Sequence, residues 1–318
     1  MTQTNNQQTQ ASSQNYRDDE IDLRKLLSIL WKGKWWIICV TFLFTVASVI
    51  YALSLPNEYK ATAVVQPNDS GAGGKLASLA GEFGGLASLA GINIGTGQSS
   101  DAVIAMEVMK SWGFAEGFIK RHDLAVPLFA AKDWKQPTNE LVIDDESYDV
   151  SQKKWIREAP KGKTVEPTSW ELYKRFKERV AVSQDKETGL VSVSVSHYSP
   201  IIAKQWTDLL VQDINQYMKV RALDEANQSI EYLEQQINET SVAEIRTVFS
   251  ELIQEQHKTK MLANVSDEFV FRTLNRAKAP EEKVKPNRAI ICVLGFLFGL
   301  ILSALYILTK SFITRSKG

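Results

Sequence analysis

Residues 35–55 and 289–308 are two unbroken apolar stretches, and the sequence between them mixes polar and apolar positions as water-soluble sequence does. At about 1.5 Å per residue each stretch reaches roughly 30 Å as a helix, the thickness of a bilayer's hydrocarbon core. The first, WWIICVTFLFTVASVIYALSL, is too long an apolar run for the core of a signal peptide. The second, AIICVLGFLFGLILSALYIL, lacks the polar stripe of an amphipathic core helix. The pattern predicts two transmembrane helices flanking one external domain, residues 56–288.

Within that domain, residues 58–66 read as a strand that Pro67 and Asn68 stop. Residues 101–121 carry Ile104, Val108, Trp112, Ala115 and Ile119 at helical spacing, with Asp101 as the expected cap. Residues 127–167 are irregular apart from strand-like runs at 141–143 and 154–156. Thr168 and Glu171 form a capping box ahead of Trp170, Leu172 and Phe176, which marks a helix of about three turns. Leu190, Val191, Val193 and Val195 alternate with serines and face Val180 and Val182 across a DKETG turn, a hairpin with one core face.

After Ser199 and Pro200 an apolar ladder runs through Ile202, Trp206, Leu209, Tyr217, Val220, Leu223, Ala226, Ile230, Leu233 and Ile237. Some forty residues of helix project roughly 60 Å. So long a ladder packs against a returning helix or a neighbouring subunit, and residues 242–262, with Ile245, Phe249, Leu252 and Ile253, supply the return. Residues 269–274 alternate again and bring the chain back to the strand at 59–65. The expected fold class is an α+β membrane protein. An α/β base (56–199 and 265–288) carries a protruding helical hairpin (200–264).

Polar composition changes the picture only at the edges. Residues 1–17 read as a disordered tail, and residues 18–34 as an amphipathic helix on the inner membrane face, with Leu23, Leu26, Leu27, Leu30 and Trp31 on one side. A Gly, Ala, Ser and Leu segment repeats LASLAG at 76–81 and 86–91, which reads as a small-residue loop or a packing element. Its GAGGKLAS is not a phosphate-binding loop, since Asp69 and Leu76 stand where Gly and Ser or Thr belong.

Lys and Arg total 37 and Asp and Glu total 37, so no general affinity for nucleic acid is expected. Arg17, Arg24, Lys25, Lys32 and Lys34 precede the first span and only Lys60 follows closely, which puts the N-terminus in the cytoplasm. The balance around the second span is the reverse, with Arg272, Arg276, Lys278, Lys283, Lys285 and Arg288 before it. Charges of a long translocated domain carry little topological weight, so both ends are expected inside and 56–288 outside. Cys39 and Cys292 fall in opposite leaflets, so no bridge within one copy is expected.

No catalytic constellation stands out. His122, His197 and His257 lack zinc spacing, adjacent acidic pairs read as solvated, and neither span holds a charge for ion translocation, so no cofactor or metal is expected. Gly295 and Gly299 give a small-xxx-small face that packs on the chain's own first span or on a partner. Pro280 and Pro286 stiffen the approach to the membrane.

Six pieces, in order, resemble the Wzz family of bacterial polysaccharide co-polymerases, the O-antigen chain-length determinants. They are DEIDLRKLLSILWKGKWW, EYKATAVVQP, SWELYKRF, VSQDKETGLVSVSVSHYSP, AKQWTDLLVQDIN and AKAPEEKVKPNR. The resemblance implies a non-enzymatic inner-membrane protein, its periplasmic domain part of a ring-like homo-oligomer with long helices pointing outward. It implies partners as well: the O-antigen polymerase and the lipid-linked polysaccharide whose modal length is set. The family's proline- and glycine-rich motif maps onto Pro280, Pro286, Gly295 and Gly299. Trp206, Leu209, Tyr217, Leu223, Ile230, Leu233 and Ile237 are the expected hairpin or oligomer contacts. A related branch carries a cytoplasmic tyrosine kinase; no tyrosine follows Tyr306 here, so the alternative is a partner of a separate kinase chain in capsule or exopolysaccharide export.

Overall fold

The computed structural model describes residue 31 and residues 33–68 and 100–316. The expected tail over 1–17, nearly all of the amphipathic helix over 18–34, GAGGKLAS and both LASLAG copies lie outside the described residues. The chain divides into two compact units, Leu55–Pro286 and the two ends Met1–Ser54 with Asn287–Gly318. In chain order the elements are α1 (Lys34–Ser54), β1 (Tyr59–Pro67), α2 (Ser100–Lys110), α3 (Trp112–Arg121), α4 (Ala125–Phe129), β2 (Ala131–Lys135) and β3 (Glu140–Ile143). There follow β4 (Tyr148–Asp149), β5 (Lys154–Trp155), α5 (Ser169–Arg179), β6 (Val180–Gln184), β7 (Val191–His197), α6 (Pro200–Glu239), α7 (Ala243–Val265), β8 (Phe271–Asn275) and α8 (Arg288–Ser316).

Unit Leu55–Pro286 is built on an antiparallel sheet in the order β6, β7, β1, β8. Period-two alternation decides its inner face. Ala61, Ala63 and Val65 of β1 are buried and stand opposite Val195, Val193 and Val191 of β7, also buried. Facing the other way, Thr62 and Ser194 share a hydroxyl hydrogen bond of 3.0 Å. The β6–β7 turn closes because the Asp185 carboxylate accepts from the Glu187 and Thr188 amides, each at 2.9 Å, and Gly189 takes φ +71°, a left-handed angle. The strand expected near 269–274 is β8, on the far edge of β1.

Helix α6 starts where Ser199 and Pro200 mark it, with the Ser199 hydroxyl accepting from the Ile202 amide, and crosses the sheet. Its buried stripe is Ala203, Trp206, Leu210, Ile214 and Met218, then Ala226 and Ile230. The apolar ladder coincides with it only in part, at Trp206, Ala226 and Ile230. Tyr217 and Val220 are exposed, and Leu209 and Leu223 only half-buried. The sheet-facing stripe passes through Thr207 and Asn215, both buried, so counting apolar residues alone shifted the register.

Residues 101–121 are also not one helix. The Ser111 hydroxyl accepts from the Phe114 amide at 3.3 Å and caps α3, ending α2 at Lys110; Asp101 lies in the first turn of α2 and not ahead of it. Residues 127–167 take in the end of α4 and two small hairpins, β2–β3 and β4–β5, so each strand-like run is one half of a pair. Arg157 ties this region to α5. Its guanidinium donates to Glu171 at 2.9 and 3.2 Å and to the carbonyls of Val165, Thr164 and Glu166. Glu171 also closes the expected capping box with Thr168, and the Arg157 bonds hold its carboxyl well below the usual carboxylate range.

Candidate functional site

Helices α1 and α8, with mean hydropathy of 2.3 and 2.7 over their most apolar windows, are the two spans. They pair antiparallel: Trp36 meets Tyr306 at 5.9 Å between ring centroids and Phe44 meets Phe298 at 6.0 Å. Gly295 and Gly299 of α8 lie hard against α1. A Cβ on Gly299 would stand 2.8 Å from Phe44 Cβ and 3.2 Å from Thr41 Cα, and one on Gly295 would overlap the Ser48 side chain. Some of the spans' hydroxyls bond within their own helices, Thr45 Oγ1 to the Thr41 carbonyl and Ser303 Oγ to the Leu300 carbonyl, whereas the buried Thr41 Oγ1 meets no hydrogen-bond partner among the described residues. Ile38, Phe42, Leu43, Leu294 and Phe298 are bare on the outside, as lipid contact requires. The protein is a two-span membrane protein.

In the other unit the first and last segments, near Leu55 and Pro286, are tied together. Glu58 bridges Lys285: its amide donates to the Lys285 carbonyl at 2.8 Å and its carbonyl accepts from the Val284 amide at 2.8 Å. Arg179 adds an ion pair to the Glu58 carboxylate at 2.7 Å, with Lys285 Nζ at 3.6 Å. Pro286, next to this clamp, and Pro280 are both half-buried.

The arm formed by α6 and α7 is thinly covered. Phe249 and Ile253 of α7, which packs along α6, are half-buried, as are Leu233 and Ile237 of α6. Ile245, Val248, Leu252, Met261 and Tyr232 remain exposed. Two helices alone leave these apolar groups in water.

Two buried polar groups hold the base beneath the arm, and apolar pattern-reading passed over one of them. Asn215 Oδ1 accepts from the Val270 and Phe271 amides at 2.9 and 2.8 Å, and Nδ2 donates to the Phe271 and Val211 carbonyls at 3.0 and 3.1 Å. In sequence Asn215 follows Ile214 among Gln212, Asp213 and Gln216, so nothing local sets it apart from a surface residue. His197 is the other, 1% exposed. The Ser199 amide donates to its Nδ1 at 3.1 Å, so Nε2 carries the proton and donates to the Pro127 carbonyl at 3.0 Å.

Burial, with Arg179 nearby, pushes the His197 imidazole from 6.5 down to about 4 although the Pro127 bond opposes it. Between those values the unfolded chain binds a proton that the folded chain does not, so stability falls as pH falls through 6.5 toward 4. The expected loss is about 2 kcal/mol from pH 7.5 to 5, above the range where Glu171 titrates. Urea midpoints of the full chain against a His197→Gln variant check this; equal slopes in that window would contradict it. His122 instead bonds Asp213 at 3.1 Å beside Arg121, and His257 lies exposed on α7.

Residues 19–121 match the family model "Wzz: Chain length determinant protein". Residues 232–312 match a second, "GNVR: G-rich domain on putative tyrosine kinase". No curated protein matches the chain in sequence. Among solved structures, a full-length bacterial polysaccharide co-polymerase is 13% identical, covering 93% of this chain and 99% of its own, with a TM-score of 0.38. A fragment of the polysaccharide co-polymerase WzzB from Salmonella Typhimurium is 13% identical, covering 72% and 100%, with a TM-score of 0.27.

Proposed function

We propose that this chain, a Wzz-type chain-length determinant, sets the modal length of lipopolysaccharide O-antigen as an oligomeric scaffold beside the O-antigen polymerase, without catalysing a step itself. The observation that carries the reading is the apolar face of the α6–α7 arm, bare in a single copy, in a chain whose residues 19–121 match the determinant model. Further copies packed side by side in a ring would cover that face. The charge balance at the first span supports an inner-membrane protein with both ends cytoplasmic and residues 56–288 periplasmic. Within that arrangement Pro280 and Pro286 set the junction to the second span, and Leu209 and Leu223 support the base of the arm.

Two experiments test it. Deleting the gene is expected to keep O-antigen polymer but replace its clustered length by a broad run of short chains on a lipopolysaccharide gel. Loss of all polymer would overturn the regulator reading. Tyr232→Asp with Val248→Asp and Leu252→Asp places charge only on surface that one copy already exposes. The triple variant should keep its helix content, fall from a large oligomer to smaller species in detergent, and lose modality.

The match of residues 232–312 favours a second reading, partnership with a separate tyrosine kinase in capsule or exopolysaccharide export. Its mark would be an unchanged O-antigen ladder with capsule lost on deletion.

A further inference from the structure

Trp112 and Trp170 are 45% and 44% exposed yet stand side by side on two different helices. Trp112 opens α3 after its Ser111 cap, and Trp170 follows Ser169 at the start of α5. Their rings meet edge to face, with centroids 5.0 Å apart and 66° between planes, so they form an aromatic corner. Tyr173 backs it, 5.4 Å from Trp170 and 6.4 Å from Trp112.

The corner is locked. Trp112 Nε1 donates to Ser169 Oγ at 2.6 Å, the Tyr173 hydroxyl donates to the Lys110 carbonyl at 3.1 Å, and Lys174 Nζ lies 5.6 Å from the Trp170 centroid. Beside Trp112 the surface is open, for nothing lies within 4 Å of where a Cβ on Gly113 would be. Around it the charges are paired, Glu107 with Lys110 at 2.9 Å and Glu116 with Lys120 at 2.7 Å.

We propose that this corner binds a pyranose ring of the polysaccharide, a ligand class that rests on the function proposed above. A sugar ring has an apolar face of C–H groups and a rim of hydroxyls. The indole faces, whose π clouds are negative, attract the C–H face, and rigid rings lose little entropy on binding. The hydroxyl rim meets carboxylates and ammoniums whose exposed pairs are worth little to the fold and can turn to a ligand. A protein partner would have to bury those same charges with only one another for company. A lipid surface would be drawn by a cluster of basic residues, and here Glu107 and Glu116 offset Lys110 and Lys120, with Lys174 one further cation at the corner.

The test uses the full chain in detergent micelles and, as probe, polysaccharide released by mild acid from the lipopolysaccharide of the expressing cells. Calorimetry should show the Trp112→Ala, Trp170→Ala variant binding at least roughly tenfold more weakly, the loss of about 1.4 kcal/mol that removing stacking predicts. The Trp112→Tyr, Trp170→Tyr variant, which keeps aromatic faces, should bind within about threefold of wild type. The oligomer's size should not change in either. No binding by the wild type, equal binding by the alanine variant, or a changed oligomer would each overturn the proposal, the last because it makes the corner a contact between copies. Gene deletion judges the chain-length reading independently of this binding, so the two can fail separately.

Discussion

Asn215→Ala is expected to remove about 4 kcal/mol from the stability of unit Leu55–Pro286, much of what a domain ordinarily has. The asparagine is 3% exposed, and its two amide ends each serve two backbone groups of the correct kind. Removing it orphans the amides of Val270 and Phe271, residues only 2% and 0% exposed, at about 1–3 kcal/mol for each donor. The Phe271 carbonyl loses a donor as well. Its partner across the ladder is Pro67, which has no N–H to give.

Asn215→Leu separates lost volume from lost hydrogen bonds. It fills the same space, so if the bonds matter it should be about as unstable as the alanine variant. Urea unfolding of the full chain in detergent, followed by tryptophan fluorescence, measures both. A leucine variant within about 1 kcal/mol of wild type would show that packing, not the amide, joins α6 to β8.

What could be read from the sequence was local. The Thr168–Glu171 capping box and the Ser199–Pro200 helix start depend on residues within one turn, and the alternation through Val191, Val193 and Val195 repeats every second residue. The α6 register could not be read that way. Thr207 and Asn215 look like surface residues until partners elsewhere are known, and those of Asn215, Val270 just before β8 and Phe271 at its start, lie 55 and 56 residues further on. His197 is the same case, since its acceptor at Pro127 is 70 residues away. Trp112 and Trp170 belonged, in sequence, to two unrelated helical patterns. Gly295 and Gly299 are the intermediate case: their spacing predicts close packing, and only the structure says against which helix.

That packing yields the second large effect. Replacing both Gly295 and Gly299 by leucine is expected to cost about 5 kcal/mol of span pairing, because each overpacked site costs about 1–3 kcal/mol and lipid offers no hydrophobic force to press the helices together. At Gly299 the obstacles are Phe44 Cβ and the backbone at Thr41, which no rotamer change can move aside. At Gly295 the obstacle is the Ser48 side chain. The milder alanine changes should therefore differ in how they are rescued. Ser48→Gly clears the atoms that Gly295→Ala would strike and should restore pairing, while the same Ser48→Gly leaves Gly299→Ala as impaired as before.

Pairing can be read by joining Trp36→Cys to Tyr306→Cys, two positions whose native rings are in contact, with a bifunctional thiol reagent, after the native Cys39 and Cys292 are replaced by serine. The cross-link should form in the parent, vanish in the double leucine variant, and return only in the Gly295→Ala, Ser48→Gly pair. Equal cross-linking across the set would mean that the glycines tolerate side chains and that something other than close approach pairs the spans.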